Sequence, residues 1–398
     1  MSNLDGSVTS SSRRSFLSIS GVATAALALR IVTEPMLARA ARHSLTHDGV
    51  MIDANENPLG PSPSAREAVS NIAAQGGRYS DWLTDQLGKE LAISEGLKPE
   101  YVHLYPGSSE PLHHTVAVFT SPTRSYVTAD PGYEAGMFAA EKAHARVVKV
   151  PLTPNYAHDI PAMLAAAPDA GVFYICSPNN PTGTITSRAA VEQLVAKKPK
   201  GSIVLIDEAY IHFCDAPSVM DLVRTDHDVL VLRTFSKIYG MAGLRCGAIF
   251  GRPDLLDMVE RYAGWNAMPI TALVAASASL KDPQLVPERR RVNREVRSNV
   301  FAWLDRNGFS YVPSESNCFM LNGKRPAKEI IAAMASQRVH IGRSWPVWPT
   351  FVRITIGTQP EMEAFQMALH KVMSGSVSAG WQPVQVRKPR RGDGILPA

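Results

Sequence analysis

The stretch SIVLIDEAY, residues 202–210, passes from an apolar, β-branched run directly into two carboxylates and a phenol. Comparable apolar runs recur on both sides of it, and most are separated by longer helical segments. This alternation predicts an α/β fold with a seven-stranded, mostly parallel sheet that helices cover on both faces. The link between Arg233 and Cys246 is too short for a helical crossover, so the last strand is predicted to run antiparallel. The seven runs are YVHLY (101–105), SYVTA (125–129), ARVVKV (145–150), GVFYI (171–175), SIVLID (202–207), VLVLR (229–233) and CGAIF (246–250).

The character of the sequence changes after Pro283, where a long charged helix is followed by short apolar runs and two more helices. This pattern predicts a second, smaller α/β domain. The segment from Ile52 to Ile72 precedes the large sheet and is expected to pack on the smaller unit. We therefore divide the chain into a signal peptide (1–40), an N-terminal segment joining the small domain (41–78), a large domain (79–283), a small C-terminal domain (284–375) and a flexible basic tail (376–398).

The composition is that of a globular protein, since 45% of the 398 residues are apolar and only 19% are charged. Disordered, collagenous and disulfide-stabilised miniature proteins are therefore excluded. The net charge of +5 lies at the two ends: residues 1–40 carry four Arg against two acidic residues, and residues 376–398 carry four basic residues against one. Because the body between them is neutral, a nucleic-acid-binding face is not expected.

The cysteines form no CxxC pair and have no histidine at metal-ligand spacing, so no metal site is expected. They lie in apolar runs such as VFYICSP and NCFML. This placement predicts buried thiols in a chain that folds under reducing conditions. The four residues are Cys176, Cys214, Cys246 and Cys318.

The first forty residues resemble a twin-arginine export signal. Arg13 and Arg14 precede an apolar stretch, Phe16 to Leu29, that is too short to span a bilayer, and Ala38-Arg39-Ala40 offers a cleavage site. We predict export of the folded protein to the periplasm, with cleavage after Ala40. The alternative is a cytoplasmic protein with an N-terminal extension that contains a chance arginine pair. No other segment approaches membrane length, so no stable membrane span is expected.

Polar loops follow the predicted strands at the edge where open α/β sheets bind ligands. Each loop taken alone has a purely structural explanation: a helix N-cap, a turn, or a solvent-exposed Ser-Lys pair. Together they bring an amine, a carboxylate, a phenol, an amide, a guanidinium and phosphate donors to one cleft. This set fits pyridoxal 5'-phosphate, which needs a lysine for its aldehyde, an aspartate for its ring nitrogen and donors for its phosphate. The loops are GSSE (107–110), SPNNPTG (177–183), DEAY (207–210) and TFSK (234–237) with GMAGLR (240–245).

With three further segments, these loops make the chain recognisable. It resembles the fold-type I pyridoxal-phosphate aminotransferases of class I/II, and among them is most similar to histidinol-phosphate aminotransferases, over about residues 48–373. The further segments are DANENPLG (53–60), RYSD (78–81) and VRITIGT (352–358).

The resemblance implies a role for each residue that would bind the cofactor in the large domain. Lys237 would be the Schiff-base lysine and proton shuttle, and Asp207 would pair with the ring nitrogen. Asn180 and Tyr210 would hold the ring oxygen, with Tyr210 also among the catalytic residues, and Tyr133 would stack on the ring. The phosphate would be bound by Ser108, Ser109, Ser236 and Arg245, with Thr234 nearby.

The resemblance also implies substrate residues and a partner subunit. Arg353 would bind the acidic group of the substrate, Arg343 matches a second family arginine, and Asn55 would contact substrate. Tyr79 would reach the phosphate in the neighbouring subunit, which implies a homodimer with shared active sites.

These observations predict a transaminase that moves an amino group between a 2-oxo acid and either an amino acid or an amino-alcohol phosphate with an acidic group. A decarboxylase or lyase that uses the same cofactor is the alternative. A non-catalytic exported binding protein is more remote, because Lys237, Asp207 and Arg245 are all intact. The aromatic segment SWPVWPTFV (344–352) admits two interpretations: a wall for a ring-bearing substrate, or tryptophan packing that ties a loop to the small domain.

Overall fold

The structure, a computed structural model, describes residues 49–264 and 268–374. The predicted signal peptide and basic tail lie outside these residues. The described strands are β1 (Val50–Ile52), β2 (Val102–Tyr105), β3 (Ser125–Asp130), β4 (Val147–Pro151), β5 (Ala170–Cys176), β6 (Ile203–Asp207), β7 (Val229–Thr234), β8 (Gly247–Phe250), β9 (Ser310–Val312), β10 (Cys318–Asn322), β11 (Val339–Ile341) and β12 (Phe351–Thr355).

Twelve α-helices are described between and after these strands. They are α1 (Pro63–Ile72), α2 (Asp81–Ser94), α3 (Ser109–Phe119), α4 (Ala135–Lys142), α5 (Ile160–Ala166), α6 (Arg188–Lys197), α7 (Met220–Arg224), α8 (Pro253–Glu260), α9 (Ile270–Leu280), α10 (Leu285–Arg306), α11 (Ala327–Ser336) and α12 (Gln359–Ser374). Short 3-10 helices span Ala73–Gln75, Pro99–Tyr101 and Ile211–Phe213.

The large sheet has seven strands, as predicted, and their order is β2-β8-β7-β6-β5-β3-β4. Strand β8 runs antiparallel to both of its neighbours, β7 and β2, and the other pairs are parallel. Every residue of β5 and β6 is buried, because helices cover both faces of a parallel sheet. The loops that follow β2, β5, β6 and β7 therefore leave the sheet at one edge.

A second core forms around the three-stranded sheet β12-β10-β9 and helices α10 to α12. Phe319 and Phe365 are fully buried in it, which confirms the smaller α/β unit. Strand β1 joins this unit by pairing with β11, and Ile52 lies opposite Ile341.

Helix α1 does not follow β1 into the smaller unit. It packs along α9, and its Ala65 belongs to the larger core together with Ala272 and Ala276. The small side chains on α9 let the two helices approach closely. The segment from Ile52 to Ile72 is thus divided between the two cores, whereas the sequence suggested that it packs on the smaller unit. The exact domain boundaries stay a prediction.

Candidate active site

The loop after β2 and the loop before β8 form a cradle for an anion. Helix α3 begins at Ser109 with Ser108 as its N-cap, so its first N–H groups, which have no partner within the helix, lie at the end of the loop after β2. Arg245 closes the cradle by donating from Nη2 to the Pro106 carbonyl (3.0 Å) and from Nη1 to the Ser236 hydroxyl (3.3 Å). Gly107 has φ +98°, and a Cβ there would lie 2.1 Å from Arg245 Nη2, so the approach requires glycine.

Thr234 supports Ser236 at the end of β7. Its hydroxyl donates to Ser236 Oγ (3.0 Å) and accepts from the Ser236 N–H (3.1 Å). Both residues are buried. The cradle thus contains the four residues of the large domain predicted to bind the phosphate, and Thr234, predicted to lie nearby, supports Ser236.

Lys237 follows in the same loop and is half-buried. Its Nζ donates to the Ala54 carbonyl (3.4 Å) and lies 5.6 Å from the centre of the Tyr210 ring. The loop closes through a hydrogen bond from the Gly240 N–H to the Lys237 carbonyl (3.0 Å). The amine therefore faces the phenol that the sequence placed beside it.

Asp207 ends β6 with only 4% of its surface exposed. Its Oδ2 accepts a hydrogen bond from the Tyr174 hydroxyl (2.7 Å), and its Oδ1 accepts one from the Ala209 N–H (3.0 Å). Burial raises the pKa of Asp207, and these two hydrogen bonds and the positive charge of Lys237 oppose that rise. The carboxylate is thus held in a fixed orientation.

Sequence reasoning missed Tyr174. The signal was present, because a tyrosine inside a buried strand needs a partner for its hydroxyl. The partner became visible only with the β5–β6 register, which sets Cys176 opposite Asp207 and so brings the end of β5 beside the carboxylate.

Tyr210 is buried, and its hydroxyl accepts a hydrogen bond from Asn55 Nδ2 (3.0 Å). Asn55 is itself fully buried, and its Oδ1 accepts from the Thr355 hydroxyl (3.1 Å). Asn55 therefore orients Tyr210 from the loop that precedes α1. Direct contact between Asn55 and substrate stays a prediction.

Arg353 lies on β12 and is 1% exposed. Its Nη1 donates to Asn180 Oδ1 (2.9 Å), and its Nη2 donates to the Asp53 carbonyl (2.6 Å). These neutral acceptors orient the guanidinium beside the loop after β5.

Arg343 follows β11 and forms an ion pair with Glu134, the residue after Tyr133. The Tyr133 hydroxyl lies 3.4 Å from Ser109 Oγ, so Tyr133 reaches the anion cradle.

Trp345 is 1% exposed, and the centre of its ring lies 4.5 Å from the Arg343 guanidinium carbon. Its Nε1 donates a hydrogen bond to the Gly132 carbonyl (2.9 Å). Trp345 packs with Val312 and Met320 of the small sheet, as the packing interpretation expects, and its indole also ties its loop to the Tyr133 loop of the large domain.

Tyr79 differs from these residues in being 77% exposed, just ahead of α2. The contacts described above connect the predicted residues of the sheet-edge loops with Asn55, Arg343 and Arg353, which lie on segments outside those loops.

The family model for aminotransferases of class I and II matches residues 47–369. The chain belongs to the class I and II aminotransferases. It is 35% identical to the histidinol-phosphate aminotransferase of Moorella thermoacetica, over 82% of this chain and 86% of that protein. It is 32% identical to the aromatic amino acid aminotransferase of Cutibacterium acnes, over 86% of this chain and 97% of that protein. The structure of a Sinorhizobium meliloti histidinol-phosphate aminotransferase in complex with pyridoxal-5'-phosphate shares the fold, with a TM-score of 0.77 at 24% identity over 87% of this chain and 96% of that chain.

This aminotransferase is an enzyme that uses pyridoxal 5'-phosphate, and its cleft fits the cofactor. The Arg245 cradle suits a phosphate, and the oriented Asp207 carboxylate suits a ring nitrogen. A Cβ on Gly247 would lie 2.7 Å from the Ser108 nitrogen, so the absence of a side chain lets β8 pass close behind the phosphate loop.

Among residues 49–264 and 268–374 of the aminotransferase, no cluster of His, Cys, Asp and Glu could hold a metal ion. The four cysteines are buried, as predicted, and form no disulfide bond with one another. No helix in the described part is long and apolar enough to cross a membrane.

Proposed function

We propose that Lys237 carries the cofactor and moves the substrate proton in this aminotransferase. When bound, the cofactor supplies an aldehyde that joins to amino groups and a ring that withdraws electrons. The Lys237 amine, placed in the cleft by its contact with the Ala54 carbonyl, would accept the proton from the Cα of a bound amino donor. The Asp207 carboxylate would keep the ring nitrogen protonated, and Tyr210 and Asn180 would hold the ring oxygen.

The substrate is an amino acid or an amino-alcohol phosphate whose acidic group binds Arg353, and the amino group passes to a 2-oxo acid. The observation that carries this proposal is the buried Arg353 guanidinium, which Asn180 and the Asp53 carbonyl aim into the cleft that contains Lys237. The histidinol-phosphate and aromatic amino acid aminotransferases among the relatives support both donor classes.

A half-reaction screen tests the proposal. Purified enzyme is mixed with single amino donors in the absence of an acceptor, and the absorbance of the bound cofactor is followed. A transaminase converts its cofactor to the amino form with at least one donor, and 2-oxoglutarate restores the original spectrum. Release of carbon dioxide or elimination products would indicate the decarboxylase or lyase alternative. An unchanged spectrum with every donor would favour a binding protein.

The exposed Tyr79 supports a homodimer in which each subunit completes the site of the other. Mixing two inactive variants tests this arrangement. Lys237→Ala and Tyr79→Ala subunits, unfolded and refolded together, yield hybrid dimers that retain one intact site if Tyr79 acts across the interface. Activity should return to about a quarter of the wild-type value. If Tyr79 acts within its own subunit, no activity returns.

Export by the twin-arginine route is part of the proposal, with the periplasm as destination. Arg13-Arg14 and Ala38-Arg39-Ala40 support it, although both lie outside the described residues. The buried thiols, which form no disulfide bond with one another, are compatible with folding in the cytoplasm before export. A cytoplasmic protein remains the alternative.

A further inference from the structure

The turn that carries Lys237 packs against a second turn from the N-terminal segment. Residues 237–240 close through the bond from the Gly240 N–H to the Lys237 carbonyl, and residues 57–60 close through a bond from the Gly60 N–H to the Asn57 carbonyl (3.1 Å). A Cβ on Gly240 would lie 2.1 Å from the Gly60 carbonyl oxygen. The two main chains are therefore in direct contact, and this contact requires glycine at position 240.

Arg289 on α10 joins these two turns. Its Nη1 donates to the Ile238 carbonyl (2.9 Å), and its Nη2 donates to the Gly60 carbonyl (2.6 Å). Asn57 Nδ2 adds a second donor to the Ile238 carbonyl (3.0 Å). Because Ile238 directly follows Lys237, the planar guanidinium fixes the main chain beside the reactive amine.

Burial of Arg289 costs free energy that an apolar, space-filling side chain would not. The side chain is 6% exposed, and burial lowers the pKa of its guanidinium. Hydrogen bonds to two carbonyls offset the lost hydration only in part. Arg297, further along α10, is also buried, but it donates to the Ser316 carbonyl and pairs with Glu315. Of these two buried arginines, Arg289 is the one that contacts the Lys237 turn.

Arg289 and Lys237 act on the same segment of the chain. Lys237 Nζ donates to the carbonyl of Ala54, which shortly precedes the turn of residues 57–60. Arg289 holds the main chain of Lys237 against that turn, and the Lys237 side chain extends to the residue ahead of it. A shift of either turn would move the amine relative to the Cα of a donor bound at Arg353. Proton transfer tolerates little such movement, because the acceptor must lie within hydrogen-bond reach of the proton.

We propose that Arg289 is a positioning residue for proton transfer, because it holds the Lys237 amine at the donor Cα through the Ile238 and Gly60 carbonyls. This inference rests on the proposed function, in which Lys237 accepts that proton. Arg289 acts through the main chain of the two turns, so its loss should slow proton transfer more than it weakens the binding of donor or cofactor.

The experiment follows one half-reaction of the cofactor-loaded enzyme with excess L-glutamate, the amino acid that 2-oxoglutarate yields, or with the most active donor of the screen if L-glutamate does not react. The first-order rate constant for the change in cofactor absorbance is measured over a range of donor concentrations. Arg289→Met, which has no donors, should lower the limiting rate constant about ten-fold, because the amine is displaced. The half-saturating donor concentration and the cofactor dissociation constant should change by less than about three-fold. Donor deuterated at Cα should slow the variant at least as strongly as it slows wild type.

These measurements separate positioning from a loss of stability. A first-order rate constant does not depend on the fraction of enzyme that is folded, so instability alone would leave it unchanged. In cofactor-free enzyme, the main-chain amides of residues 238–241 should exchange with deuterium faster in Arg289→Met than in wild type. Arg289→Lys, which retains the charge but not the planar fork, should lie between the two, and it decides the question if Arg289→Met does not fold.

Arg297→Lys is the matched control, since it changes the second buried arginine of the same helix, and it should match wild type in rate and in amide exchange. The inference is overturned if the limiting rate constant of Arg289→Met falls by less than about three-fold or if deuterated donor no longer slows the variant. Unchanged amide exchange, or an equal loss of rate in Arg297→Lys and Arg289→Lys, would also overturn it. Absence of conversion of wild type with every donor would instead contradict the proposed function.

Discussion

Arg353 and Lys237 donate hydrogen bonds to the carbonyl oxygens of consecutive residues, Asp53 and Ala54, at 2.6 and 3.4 Å. The short loop between β1 and α1 therefore sets the separation between the proposed acid-binding guanidinium and the reactive amine. Consecutive residues have Cα atoms about 3.8 Å apart, a distance comparable with the size of a small amino acid. In the proposed function, a donor whose acidic group bound Arg353 would therefore present its Cα to the Lys237 amine.

The covalent site of the cofactor is the first testable consequence. Purified protein should be yellow, and borohydride reduction followed by peptide mapping should find the cofactor on Lys237. Lys237→Ala should bind the cofactor without a covalent link and lose turnover. A label on another lysine would contradict the assignment.

Asp207→Asn should retain the cofactor but lower turnover by about 100-fold or more, because an amide does not stabilise a protonated ring nitrogen as a carboxylate does. Cofactor content is measured by absorbance and turnover by oxo-acid formation. Activity within a few-fold of wild type would show that the carboxylate does not have this role.

Tyr174→Phe should move the acidic limb of the pH–rate profile to higher pH. The Tyr174 hydroxyl donates to the Asp207 carboxylate and so favours its anion, which lowers the pKa of Asp207 against the effect of burial. Without this bond the pKa rises further, and as pH falls the carboxylate is lost earlier. The same shift should appear in the pH titration of the bound cofactor absorbance.

Tyr126→Phe is the matched control for that variant. Tyr126 is fully buried with its ring centre 6.2 Å from that of Tyr174, and its hydroxyl is not a hydrogen-bond partner of Asp207. Its pH profile should match wild type. Identical profiles for both tyrosine variants would show that the Tyr174 bond does not influence Asp207.

Arg353→Lys should raise KM for the acidic donor about ten-fold or more while the dissociation constant of the cofactor changes little. A lysine cannot reproduce the planar fork that contacts Asn180, Asp53 and a substrate anion together. Arg306→Lys, an exposed change on α10 of the small domain, serves as control. Equal losses in substrate and cofactor binding would be inconsistent with the role.

Replacement of Arg13 and Arg14 by lysine should trap full-length, cofactor-bound protein in the cytoplasm. Wild type should be found in the periplasm with its N-terminus near Ala41, since the twin-arginine route carries folded proteins. Arg30→Lys, elsewhere in the predicted signal peptide, should not affect export. Uncleaved wild-type protein in the cytosol would defeat the export proposal.

The sequence by itself determined the large sheet and the loops that bear the chemistry. Parallel strands end at one edge, so the order of GSSE, SPNNPTG, DEAY and TFSK along the chain was enough to place these loops around one cleft. The antiparallel direction of β8 followed from the link between Arg233 and Cys246, which is too short for a helical crossover.

Only the tertiary structure decided which side chains hold these groups in place. Tyr174 and Asp207 are 33 residues apart, Asn55 and Tyr210 are 155 apart, and Glu134 and Arg343 are 209 apart. Such pairs depend on strand register and on how the small core packs against the loops. Neither is encoded in local periodicity, because a one-residue change of register turns a strand side chain to the opposite face.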